Sequence, residues 1–196
     1  MALPEIQTRR LRLVIAQPGL EPALARFYEA NFAGHLDRWS PPPPPGGFGI
    51  DHWAERLPVF AREYEEGLSA RWVLLPREGD ESVTGTCSIT QIFRGAFQAG
   101  YLGYQVARCE EGRGLMREAL EATIAHAFTT LRLHRIMANY RPENGRSEGL
   151  LARLGFVTEG TARDYLFIDG AWRDHVLASK TNPAFDPAWL VPAPRR

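Results

Sequence analysis

The stretch from residue 100 to residue 140 sets the tightest limit on what this chain can fold into. GYLGYQVA, residues 100–107, reads as a strand. Gly112 and Gly114 stand one residue apart at the mouth of a helix expected over about Gly112–Thr130, and RIMANY, Arg135–Tyr140, reads as a strand again. Met116, Leu120, Ile124, Ala127 and Leu131 recur at the spacing that lines one face of that helix. Strand, glycine turn, half-buried helix and strand in immediate succession call for a sheet with a helix packed on it.

The flanking segments extend this plan. Leu11, Leu13 and Ile15 alternate with Arg10 and Arg12, the pattern of a half-buried strand. A helix is expected over about Leu20–Ala33. A second is expected through Trp53, Leu57, Phe60 and Tyr64, with Pro58 starting or kinking it. The run Pro41–Pro45 with Gly46 and Gly47 must be an exposed loop, either a stiff connector or a wall over a groove. Strands are expected over Arg71–Leu75, Val83–Phe93, Tyr101–Val106, Phe156–Glu159, Ala162–Ile168 and Trp172–Ala178, with Asp169-Gly170 as a hairpin turn and a short helix through Leu151 and Leu154 ended by Gly155. At 196 residues, without an internal repeat or linker, one mixed α/β domain over 1–196 is expected, with its core at 8–180 and a tail at 181–196.

The glycine turn is no P-loop, because no lysine and hydroxyl pair follows the second glycine. It is no dinucleotide fingerprint either, because Arg117 stands where the third glycine belongs. Two readings stay open: free amides at a helix start that hold an anion, or glycines that merely begin a helix. Formal net charge is zero, so no basic field argues for nucleic acid or a membrane surface. Cys87 and Cys109 form neither a metal spacing nor a disulfide framework, the histidines lack ligand spacing, and no apolar run approaches a membrane span. The expectation is a cytoplasmic protein with no metal, no direct nucleic-acid partner and no membrane partner.

The order of segments carries more. TRRLRL, FRGAFQAGYLGY, GRGLMREAL, HRIMANYRPENGRSEGLLARLGF and RDYLFIDGAWRDHVL, spread from Thr8 to about Leu177, together resemble the GNAT acetyltransferases and, within them, the RimJ/RimL-type protein N-terminal acetyltransferases. The resemblance implies a mixed, mostly antiparallel sheet whose two central strands splay apart, flanked by helices. It implies acetyl-CoA as cosubstrate, its pyrophosphate on the loop Cys109–Gly114. Gln105, Val106, Arg108, Cys109, Gly112, Arg113, Gly114, Leu115, Met116, Asn144 and Ser147 are then coenzyme contacts. The chain departs from the family pattern at Cys109, where a basic residue or glutamine is usual, and at Glu110-Glu111, two carboxylates beside a pyrophosphate.

Direct attack of an amine on a thioester needs an oxyanion donor, a proton for the thiolate and a neutral amine. By resemblance, the main chain around Gln105 and Val106 supplies the first, and Ser147 supplies the second unless it only caps a helix. Asp164 is the first candidate base and Glu159 the second. Tyr104 and Tyr165 are expected to contact the acceptor. The acceptor implied is the N-terminal α-amine of a protein, with a ribosomal protein as the expected partner. The alternatives are a small amine, such as an antibiotic or polyamine, and a non-catalytic acetyl-CoA-binding or ribosome-associated module. Carboxylate walls would favour a polycation, whereas aromatic and hydrogen-bonding walls would favour a peptide.

Overall fold

The computed structural model describes residues 3–79 and 82–190. Its spine is one eight-stranded sheet in the order β1-β2-β3-β4-β5-β6-β8-β7. The strands are β1 (Glu5–Gln7), β2 (Leu11–Ile15), β3 (Ala70–Pro76), β4 (Gly85–Phe93), β5 (Ala99–Val106), β6 (Arg135–Tyr140), β7 (Val157–Ile168) and β8 (Ala171–Thr181). Every neighbouring pair is antiparallel except β5 and β6. That one parallel pair is joined through α3 (Leu115–Thr129), the crossover a parallel connection requires.

Alternation sorts side chains onto two faces. Leu11, Leu13, Trp72, Leu74, Cys87, Ile89, Leu102, Ile136 and Ala138 pack with Leu120 and Ile124 of α3 and Leu151 of α4 (Gly145–Arg153). On the opposite face Val73 and Leu75 pack with Leu24 and Phe27 of α1 (Glu21–Asn31) and with Trp53 and Leu57 of α2 (Ile50–Glu65). Layered this way, the chain has a helical cover on each side of the sheet.

Several expectations shift in detail. Pro58 does not start α2 but lies inside it at an exposed position, where the chain loses one helical hydrogen bond. The two strands expected over residues 156–168 are one strand, β7, interrupted by register shifts at Thr158/Gly160 and Ala162/Leu166. β1 was not legible, being three residues at the sheet edge. Part of the expected tail belongs to β8, which runs to Thr181; residues 191–196 lie outside the described residues.

The central feature is where β5 and β6 stop pairing. Their register holds only Ala99–Arg135, Gly100–Ile136 and Tyr101–Met137. Past Tyr101, β5 runs on beside β4 to Val106 and β6 beside β8 to Tyr140. The two arms leave a gap through the middle of the sheet.

Candidate active site

A cleft of about 2080 Å³ opens at this gap and is lined from both faces. Ala107 donates its N–H to the Thr84 carbonyl on the β4 side, at 2.9 Å. Strand alternation therefore turns the N–H groups of Tyr104 and Val106 to the gap and that of Gln105 to β4. Val106 also aims its carbonyl away from β4, where His35 Nε2 meets it at 3.0 Å. Of the expected oxyanion region, Val106 offers its amide and Gln105 does not.

On the α3 face, Gly114 is the N-cap of α3 with φ 74°, and Gly112 has φ 75°. Both need the left-handed region that glycine enters freely. No side chain caps this end. The amides of Leu115, Met116 and Arg117 therefore stand without intrahelical partners at the positive end of the helix dipole. Gly112, Gly114, Leu115, Met116 and Arg117 all line the cleft. An open helix start of this kind can hold an anion.

The paired carboxylates are neutralised. Glu110 bonds Arg113 at 2.6 Å, and Glu111 pairs with Arg146 from the first turn of α4. Arg108 donates to the Gly34 carbonyl and its own amide donates to Asn31 Oδ1 at 2.8 Å, so it braces the loop against the α1–α2 connector. Cys109 is exposed, and neither Cys109 nor Arg113 lines the cleft.

Across the gap, Asn144 caps α4: its Oδ1 accepts the Ser147 N–H at 3.1 Å. The capping role thus falls to Asn144, and the Ser147 hydroxyl takes no part in it. Ser147 is half-buried and lines the cleft with Asn144 and Tyr104. Burial pushes the Tyr104 phenol up to about 12, against a hydrogen bond with the Ser147 side chain that lowers it. Tyr104 is therefore neutral beside the serine.

The α1–α2 face has another character. Thr86, Ser88 and Thr90 alternate along β4 as a hydroxyl floor, continued by Gln105 and Asn139. Gln105 is locked in place, its Oε1 accepting from Tyr28 Oη at 2.7 Å and its Nε2 donating to Ser40 Oγ at 2.8 Å. Tyr28 stacks on Phe48 at 4.4 Å and leans on Trp53 at 5.2 Å, and burial raises its hydroxyl to about 12. Ser40, Pro41 and Phe48 make the proline-rich loop a wall of the cleft. Tyr165 and His175 close the far side, their rings 5.6 Å apart.

Neither candidate base reaches this space. Asp164 sits at the β7 irregularity with φ 47°, exposed, outside the cleft lining, its N–H bonded to Asp174 Oδ1 at 3.0 Å. The register shift turns it outward and brings its neighbour Tyr165 in. Glu159 is bound by Arg135 and Ser179, whose hydrogen bonds hold its carboxyl below the usual range. Sequence reasoning missed the hydroxyl floor, although T-C-S-I-T shows the period of two that would have found it. It missed Tyr28 and His175, for which no local signal exists.

A splayed mixed sheet with an uncapped helix start on one side of the gap and a groove on the other defines an acyltransferase class, and this chain belongs to the acetyltransferase (GNAT) domain family, which matches over residues 11–157. Members of that family use acetyl-CoA, and the left-handed glycine, open amides and apolar wall at Leu115, Met116 and Leu150 fit its pyrophosphate and pantetheine. The chain is 40% identical over 187 residues to the [ribosomal protein uS5]-alanine N-acetyltransferase of Escherichia coli K12, covering 94% of this chain and 95% of that one. The crystal structure of ribosomal-protein-S5-alanine acetyltransferase from Vibrio fischeri matches with a TM-score of 0.89 and 34% identity, covering 94% of this chain and 100% of that one. Mycobacterium smegmatis RimJ in complex with CoA-disulfide matches at 0.82 and 31%, covering 91% and 86%. Among the described residues no helix is long and apolar enough to cross a membrane, and no group of His, Cys, Asp or Glu could hold a metal.

Proposed function

We propose that this acetyltransferase transfers the acetyl group of acetyl-CoA to the N-terminal α-amine of a ribosomal protein. The observation that carries the acceptor class is the composition of the groove. Its floor is neutral hydroxyl and amide, its walls are aromatic, and the carboxylates that line the cleft, Glu110, Glu111 and Glu143, are each paired with an arginine. A polycationic acceptor needs free carboxylates, whereas a peptide main chain needs the hydrogen-bonding floor that is present. The near full-length similarity to alanine N-acetyltransferases of ribosomal protein S5 points to a small first residue.

In this reading the amides of Leu115, Met116 and Arg117 hold the pyrophosphate, with Gly112 and Gly114 allowing its close approach. Asn144 orients α4 and the pantetheine contact. The N–H groups of Tyr104 and Val106 stand where the carbonyl oxygen gains charge. Ser147 gives its proton to the leaving sulfur, with Tyr104 as its hydrogen-bond partner.

Mass spectrometry on peptides that begin with Ala or Ser and contain an internal lysine tests the assignment. Acetylation is expected on the α-amine alone, absent from N-terminally blocked peptides, and rising with pH towards about 8 as the amine is deprotonated. Modification of the internal lysine, or equal turnover of an aminoglycoside or polyamine, would overturn the acceptor class and leave the acetyltransferase fold intact.

A further inference from the structure

Acetyl transfer to an α-amine requires a destination for the amine's own protons, and none of the cleft carboxylates is unpaired. We propose that His175 is the catalytic base, taking the proton of the acceptor amine at Nε2, directly or through one water. The inference rests on the α-amine reading above.

Three observations place it. First, His175 is on the correct face. In β8, Val176 and Ala178 pack with the α3–α4 core, so His175 looks to the opposite face, the one bearing the hydroxyl floor. It follows the Tyr140–Val176 pair, at the open end of the β6 arm. Ser147 belongs to the other face, so acid and base stand on opposite sides of the gap that receives the thioester.

Second, its tautomer is set. His175 Nδ1 lies 2.9 Å from the Arg173 carbonyl oxygen, which can only accept, so Nδ1 carries the hydrogen and the neutral ring keeps its lone pair at Nε2. Third, Nε2 is open. His175 is 2% exposed and lines the cleft, yet no hydrogen bond among the described residues occupies Nε2. Nor is Nε2 sealed in the core: among the described residues the buried side-chain atoms without a partner are Trp72 Nε1 and Gln98 Oε1. A histidine with one nitrogen fixed by the main chain and the other turned to the acceptor space is the arrangement a general base needs.

The protons balance. The acceptor enters as an ammonium with three. Nε2 takes one and later passes it to water in the cleft. The neutral nitrogen bonds to the acetyl carbon, the carbon–sulfur bond breaks, and sulfur takes the Ser147 proton. The second proton that nitrogen sheds replaces the one Ser147 gave up, leaving an amide N–H and a free thiol.

His175→Asn and His175→Ala form the test, followed by thiol release with an Ala-first peptide and by calorimetry with acetyl-CoA. The asparagine amide can still donate to the Arg173 carbonyl but offers no basic nitrogen. Both variants are expected to lose about 10²- to 10⁴-fold in kcat, to bind acetyl-CoA as before, and His175→Ala to recover turnover when imidazole is added. Wild-type kcat in His175→Asn would overturn the proposal, as would a loss in both variants that imidazole fails to restore. A wild-type protein that does not acetylate the peptide would instead remove the α-amine reading on which the inference stands.

Discussion

At the scale of single residues, the cleft separates roles that neighbouring positions in the chain blur. Asn144 and Ser147 both stand at a helix start, and either is a good cap by residue type. The geometry gives the cap to Asn144, so truncating the two should have different signatures. Ser147→Ala is expected to lower kcat by roughly ten- to ten-thousand-fold with little change in acetyl-CoA affinity or melting temperature. Asn144→Ala is expected to cost about 1 kcal/mol of stability. Stopped-flow thiol release and thermal denaturation separate them, and a stability loss with normal turnover in Ser147→Ala would remove the serine from the chemistry.

At the scale of elements, the glycine turn owes its position to the far end of the chain. Glu118 in the first turn of α3 accepts from Thr8 Oγ1, Arg10 N and Arg10 Nε, each at 2.7 Å, and Arg10 also donates to the Arg113 carbonyl at 2.9 Å. Burial works to raise the Glu118 carboxyl, but the hydrogen bonds from Thr8 and Arg10 and the Arg10 charge prevail and hold it below the usual carboxylate range. A depressed folded pKa means stability that is fully present above the unfolded value and is lost as pH falls through the folded one. Arg10 is 37% exposed, so screening leaves the charge worth about 1 kcal/mol. Glu118→Gln should melt about 2–4 °C lower at pH 7. That difference should begin to close as pH drops below the ordinary carboxylate value, where the unfolded chain takes up its proton, and should vanish once pH has fallen through the lower value of the folded carboxyl. A difference that does not shrink as the pH falls would show that Glu118 acts through packing and not charge.

At the scale of the whole molecule, the sheet divides the labour. The α3–α4 face presents the open start of α3 and Ser147; the α1–α2 face presents the hydroxyl floor and His175. Changes on one side should therefore leave the other side's ligand alone. Gly114→Asp, which puts a carboxylate on the open helix start, is expected to abolish acetyl-CoA binding in a folded protein. Ser88→Ala with Thr90→Val should raise the peptide KM while calorimetry finds the acetyl-CoA Kd unchanged. A coenzyme Kd that moves with the floor substitutions would show the two faces to be one coupled site.

Much of this was written locally in the chain. The period-two run of β2, the apolar stripe of α3, the glycine turn before it and the Asp169-Gly170 turn depend on a few adjacent residues, and each is present where the pattern put it. Segment order was enough to place the chain in its family. What only the tertiary structure decided were relations between distant positions. Pairing of β5 with β6 ends at Tyr101, Glu111 meets Arg146, Tyr28 locks Gln105, Asp164 turns outward at a register shift and His175 turns in. Periodicity reports which face of an element is apolar, because neighbours in sequence share one backbone geometry. It says nothing of what stands opposite a polar side chain, since that partner is delivered by the sheet's register and the packing of the helices, and at this site those partners determine which groups are tied by hydrogen bonds and ion pairs and which are not.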